Sequence, residues 1–136
     1  MRLLLILVVL CLVLCSGCDS GGPQRMEVAG TIRNSGDGWY VLDSGNHTPI
    51  GIDRIEVANG NIRVWFTFTA TDVHTFCVTP DDRYASLGYL LGPSVGTQVA
   101  TIKVSRIVEG SVKAVDASEM ADPIGNIWIY GLFSVE

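Results

Sequence analysis

Hydrophobic and polar residues alternate with a period of two through most of the chain after residue 25, and no stretch repeats with the period of an α-helix. In residues 26–33, Val28 and Ile32 fall on one face, and Glu27, Thr31 and Arg33 fall on the other. Such alternation is typical of strands with one buried face. Further strands are predicted over residues 39–42, 51–57, 62–70, 73–79, 98–108 and 126–135. The pattern therefore predicts an all-β domain of about seven or eight strands, either a β-sandwich or a small barrel.

The most specific local signal is the pair Asn59-Gly60, which lies between the predicted strands 51–57 and 62–70. Asn-Gly favours a two-residue hairpin turn, because both residues accept a positive φ. Within the second strand, one face is predicted to enter the core through Ile62, Val64, Phe66 and Phe68. Trp65 points away from that face.

Residues 126–135 are apolar on both faces, which predicts a central strand covered on both sides. Trp128 and Tyr130 share one of these faces. Together with Trp65 they either fill the second side of a buried sheet or present an exposed aromatic platform for a sugar or a peptide. Residues 109–125 contain turn-forming and polar residues without a period, and we expect a loop there.

The first seventeen residues have the architecture of an export signal. Arg2 supplies a positive charge, about a dozen apolar residues follow, and the small residues Ser16 and Gly17 lead directly to Cys18. A membrane-spanning helix is the alternative, but the apolar run is shorter than the roughly 20 residues that such a helix needs. A signal peptide is therefore favoured.

Residues 14–18, Leu-Cys-Ser-Gly-Cys, resemble the lipobox of bacterial lipoproteins, with Cys15 at a position where leucine is usual. The resemblance implies that a diacylglyceryl group is attached to the Cys18 thiol and that the chain is cut between Gly17 and Cys18. The predicted organisation is a signal peptide over 1–17, a lipidated cysteine with a flexible tether over 18–25, and a β-domain over 26–136. We expect the protein at the extracytoplasmic face of the cell membrane, held there by its lipid.

Removal of the signal peptide, with Cys11 and Cys15, and lipidation of Cys18 leave Cys77 as the last free thiol. No intramolecular disulfide is then expected, although exported proteins of this size often have them. Cys77 lies in an apolar stretch, which predicts a small buried hydrophobic residue rather than a reactive thiol.

The domain after the signal is acidic, with eight basic and fourteen acidic residues once Arg2 is removed. Its basic residues are scattered, which argues against nucleic acid as a partner.

Residues 92–96, Gly-Pro-Ser-Val-Gly, match the nucleophile elbow of hydrolases, with Ser94 as the nucleophile. The elbow needs a helix after the serine and a histidine later in the chain. A strand is predicted after Ser94, and His47 and His74 both precede it. We therefore expect a glycine-proline turn and no catalytic residue.

No metal or cofactor site is predicted. Cys77 is three positions after His74 along a predicted strand, which places the two side chains on opposite faces. Asp81 and Asp82 follow a proline and either meet a calcium ion or form a solvated turn. His47 lies in a segment of turn-forming residues.

Short segments are similar to pieces of small β-rich proteins encoded by bacteriophages of actinobacteria, namely residues 47–53, 77–81 and 126–133. The resemblance implies an envelope lipoprotein expressed from a phage or prophage, a class in which superinfection exclusion is one role. The expected function is thus a non-catalytic binding or interference module at the envelope, acting on an envelope or phage protein. An envelope hydrolase and a structural envelope or virion component are the alternatives.

Overall fold

The computed structural model describes residues 22–120 and 125–136, which form two antiparallel sheets packed face to face. The first sheet has the order β2 (Trp39–Val41), β1 (Gln24–Asn34), β9 (Asn126–Val135) and β5 (Asp72–Pro80). The second has the order β3 (Ile52–Ala58), β4 (Asn61–Phe66), β7 (Val99–Val108) and β6 (Tyr89–Val95), with β8 (Ser111–Ala114) paired to β7. The predicted all-β sandwich is confirmed, and the sheets of the described residues do not close into a barrel.

The core lies between the inward faces of the two sheets. Its fully buried side chains include Val28, Ile32, Ile62, Val64, Ile102, Ile127 and Phe133. Phe66 lies at the centre of an aromatic cluster, with its ring centroid 4.9 Å from that of Phe133. Gly131 makes room for this cluster, because a Cβ there would lie only 2.6 Å from the Phe133 ring and 2.8 Å from the Phe76 ring.

The predicted hairpin is confirmed. Asn59 and Gly60 join β3 to β4 with φ angles of 53° and 74°. Two consecutive positive φ angles give the turn a twist that matches the twist of the strands, which is why Asn-Gly is favoured there. Trp65 points away from the core face, as predicted.

The structure contains four elements that the alternation did not reveal. Strand β6 includes Gly92 and Pro93, for which a turn was predicted, and this prediction is wrong. Proline lacks the amide N–H needed in a central strand but is tolerated at a sheet edge, where β6 lies. A short helix, α1, covers Asp82–Ser86.

The predicted loop over residues 109–125 is also wrong in part. It contains β8 and a 3-10 helix over Ala117–Glu119. Trp39 holds this helix against the sandwich, because its indole N–H donates to the Ala117 carbonyl at 2.9 Å.

The beginning of the domain lies slightly earlier in the chain than predicted. Strand β1 starts at Gln24, so the last two residues of the predicted tether already pair with β9. The predicted signal peptide and Cys18 lie outside the described residues. Across residues 22–120 and 125–136, no helix has both the length and the apolar character needed to cross a membrane.

Candidate functional site

The outward side of the first sheet carries three exposed aromatic side chains, which we call the aromatic face: Tyr40, Trp128 and Tyr130. The register of the paired strands explains why these side chains lie on neighbouring positions. Trp128 pairs with Thr31 on β1 and Thr79 on β5, and Tyr130 pairs with Ala29 and Cys77. Tyr40 on β2 pairs with Arg33, which in turn pairs with Asn126. Directly paired residues of antiparallel strands point to the same face, so these side chains form three adjacent rows.

Strand β9 is central in its sheet, as predicted, but its outward side is not covered. Trp128 is 47% exposed and Tyr130 is 45% exposed, whereas their neighbours Ile127 and Ile129 are buried in the core. The prediction that β9 is covered on both sides is therefore wrong. Of the two alternatives for Trp128 and Tyr130, the structure shows the exposed platform. None of the three rings stacks on another described ring.

Arg33 adds a positive charge to this face next to Trp128. Its Nε donates to the Asn126 side-chain oxygen at 2.8 Å, and the residue is half-buried. Within the described residues, no carboxylate lies at ion-pair distance from the Arg33 guanidinium. Among the described residues, the side-chain hydrogen bond of this guanidinium is the one from Nε to Asn126.

In the row that contains Trp128, the buried hydroxyl of Thr31 lies next to the exposed imidazole of His47. Thr31 is only 5% exposed, and its Oγ1 lies 3.4 Å from His47 Nδ1. His47 follows a tight turn that begins at Ser44, so the predicted turn is confirmed. The histidine lies at the border of the aromatic face, on the side of β1 opposite to β9.

Cys77 is exposed beside Tyr130, so the prediction of a buried residue is wrong. The prediction that His74 and Cys77 lie on opposite faces is also wrong. A bulge between Val73 and Thr75 shifts the alternation, and His74 Nε2 bonds to Ser134 Oγ at 2.7 Å on the outward side.

Asp81 is a structural residue. One of its carboxylate oxygens accepts from the Tyr84 amide at 3.1 Å and caps α1. Its other oxygen accepts from the Asn126 amide at 2.7 Å. Of the two alternatives, a calcium site or a turn, the contacts of Asp81 support the structural one. In the part of the chain that the structure describes, no three His, Cys, Asp or Glu side chains converge on a point where a metal ion could bind.

Ser94 lies within β6 and pairs with Thr101 on β7. A strand, not a helix, follows it, as predicted, so the backbone does not form a nucleophile elbow. The described side-chain hydrogen bonds of His47 and His74 are with Thr31 and Ser134, respectively.

The outward side of the second sheet has a different character. Trp65 lies under the Arg54 guanidinium, whose Cζ is 4.4 Å from the ring centroid. An exposed aliphatic patch, formed by Leu90, Ile107 and Val112, lies at the end of this sheet that contains the β7–β8 turn. No exposed aromatic side chain is present in this patch.

A cavity of about 300 Å³ lies between the Asn59-Gly60 turn and β8. It is lined by Lys103 and Asp116, among others. The Asp116 carboxylate accepts from the hydroxyl and the amide of Ser118, and these bonds lower its pKa below the usual value. Asp116 thus caps the 3-10 helix.

Comparison with family models, curated proteins and solved structures gives no match to this chain. Functional inference therefore depends on the geometry of the described residues. That geometry brings together Trp128 and Tyr130, which the sequence had indicated, with Tyr40, Arg33 and Asn126, which it had not. Arg33 was assigned to the polar side of the first strand, but only the strand order shows that this side adjoins Trp128.

Proposed function

We propose that this protein is a membrane-tethered, non-catalytic binding module that engages its partner through the aromatic face. The observation that supports the proposal is the exposure of Trp128 and Tyr130 on the central strand of a sheet. Large aromatic side chains contribute strongly to binding when a partner covers them. Their exposure on a rigid, fully paired strand provides a surface that is ready for binding without rearrangement.

The tether is the second part of the proposal. Lipidation of Cys18 would hold the domain at the extracytoplasmic face of the membrane. Confinement to a thin layer raises the effective concentration of the domain toward any partner in that layer. A modest intrinsic affinity is then sufficient.

Site-specific photo-crosslinking in living bacteria tests this proposal. A photoreactive p-benzoylphenylalanine replaces Tyr130 in the full chain, and a matched variant carries it at Lys103, which is exposed on the outward side of the second sheet. We expect a covalent adduct from position 130 after irradiation, and we expect Trp128→Ala to weaken it. Absence of an adduct at position 130, or an equally strong adduct at position 103, would contradict the aromatic face as the binding surface.

A further inference from the structure

We propose that the ligand of the aromatic face is an acidic glycan, a chain of sugar rings that bear carboxylate groups. This inference rests on the proposed function, because it names the chemistry of the partner for the same surface. It combines the exposed aromatic side chains, the threonines beside Trp128 and the charge of Arg33, which has no ion-pair partner among the described residues.

The arrangement of the rings suits a linear ligand. Trp128 and Tyr130 are two residues apart on β9, so their Cα atoms are separated by about 7 Å along the strand. Sugar rings present C–H faces that pack on aromatic rings and hydroxyl groups that need hydrogen bonds. Consecutive rings of an extended chain would contact these two side chains in turn.

The surroundings of Trp128 favour a glycan over a protein. Trp128 is flanked on both sides by threonines, Thr31 and Thr79, rather than by aliphatic residues. The centres of protein interfaces are usually contiguous and apolar. On this molecule the aliphatic patch of Leu90, Ile107 and Val112 on the other sheet has that character, and the surroundings of Trp128 do not.

The charge of Arg33 specifies an anionic ligand. Arg33 is half-buried, and among the described residues its guanidinium bonds only to Asn126. Glu27 lies on the same face of β1 but six residues away, roughly 20 Å along the strand, and does not neutralise it. A guanidinium fork binds carboxylates in a bidentate manner. Because Arg33 is diagonal to Trp128, its Cβ lies about 7–8 Å from that of Trp128, within reach of a carboxylate on the same or the adjacent sugar.

Binding measurements with the full chain in detergent micelles test the inference. The probes are a galacturonate hexamer, hyaluronan oligosaccharides and glycan chains that contain muramic acid, all of which carry carboxylates. The methyl ester of the galacturonate hexamer keeps the rings and removes the charge. We expect at least one acidic probe to bind, and Arg33→Gln to weaken its binding about tenfold, the effect of losing a charge-assisted hydrogen bond.

Two comparisons separate the contributions of charge and ring. Trp128→Ala should weaken both the acid and its methyl ester, whereas Arg33→Gln should leave the ester unchanged. Arg63→Gln provides a matched control, because Arg63 lies on the outward side of the other sheet. Since Trp128 is exposed, its replacement should not unfold the domain, and a thermal melt of each variant checks this.

The inference is overturned if none of the acidic probes binds, or if Arg33→Gln binds them as tightly as the wild type does. If crosslinking at position 130 then still yields an adduct and that adduct is a protein, the glycan is refuted while the proposed function stands. Absence of that adduct as well would refute both.

Discussion

Asp81 and Asn126 are joined by a reciprocal pair of hydrogen bonds. The Asp81 amide donates to the Asn126 carbonyl at 2.9 Å, and the Asn126 amide donates to the Asp81 carboxylate at 2.7 Å. The Asn126 side chain in turn accepts from Arg33. These bonds fix the end of β5 to the beginning of β9, and the Asn126 side chain orients Arg33. Asn126 therefore contributes both to the stability of the fold and to the geometry of the aromatic face.

Replacement of Asp81 should therefore destabilise the domain. Asp81→Ala leaves two backbone amides without their acceptor, which costs about 2 kcal/mol of unfolding free energy. Urea unfolding of a chain that begins at Gly22 measures this value. Asp82→Ala is the control, because Asp82 is exposed in the first turn of α1. Equal stability of the two variants would show that the reciprocal pair contributes nothing.

Addition of a methyl group at Gly131 should disrupt the aromatic cluster. Gly131→Ala forces the Phe76 and Phe133 rings to move, and such overpacking costs about 1–3 kcal/mol. Gly92→Ala is the matched control, because a Cβ at Gly92 meets no atom within 4 Å. A lowered melting temperature in the first variant alone is the expected result. Equal melting temperatures would contradict the packing described here.

The thiol of Cys77 should react with a maleimide in the folded domain. Because the side chain is exposed, we expect one modified thiol per chain starting at Gly22, at a rate close to that of the urea-unfolded chain. Mass spectrometry identifies the product, and Cys77→Ser should abolish it. If the thiol reacts only after unfolding, Cys77 is buried, as expected from the sequence, and its exposure in the structure is contradicted.

Lipidation at Cys18 stays a prediction from the sequence. Labelled fatty acid supplied to expressing bacteria should enter the wild type and not Cys18→Ala. Cys15→Ala should still be labelled, because Cys15 precedes the expected cleavage site. Equal labelling of the wild type and Cys18→Ala would refute the lipobox assignment.

The phage-exclusion form of the function also stays a prediction. Expressing cells should adsorb some phages normally yet resist them at DNA entry, and Cys18→Ala should protect less because the protein is no longer held at the membrane. Plating efficiencies over a broad phage panel provide the measurement. Identical plating on expressing and non-expressing cells would refute phage exclusion and would not contradict the proposed binding function.

The fold class could be predicted from the sequence because its signals are local. The Asn59-Gly60 turn depends on the φ preferences of two residues, and the core face of β4 depends on alternation within one strand. Strand β6 was not predicted because Gly92 and Pro93 are compatible both with a turn and with a strand at a sheet edge. Only the neighbouring strands decide between the two.

The candidate site was predictable only in part for the same physical reason. The sequence places Trp128 and Tyr130 on one face, but whether another layer covers that face is a tertiary property. Burial of Cys77 was inferred from apolar neighbours along the chain, whereas its exposure follows from the uncovered side of the sheet. The pairing of Arg33 with Asn126 depends on residues 93 positions apart in the sequence.

The position of Gln24 at the beginning of β1 sets how far the domain can reach. In a lipidated protein, residues 18–23 span at most about 22 Å from the bilayer. Thr31, which pairs with Trp128, lies seven residues further along the strand, or roughly 23 Å. In such a protein, Trp128 would lie in a zone within about 45 Å of the lipid surface. Inserting flexible residues before Gln24 would deepen that zone without altering the face itself.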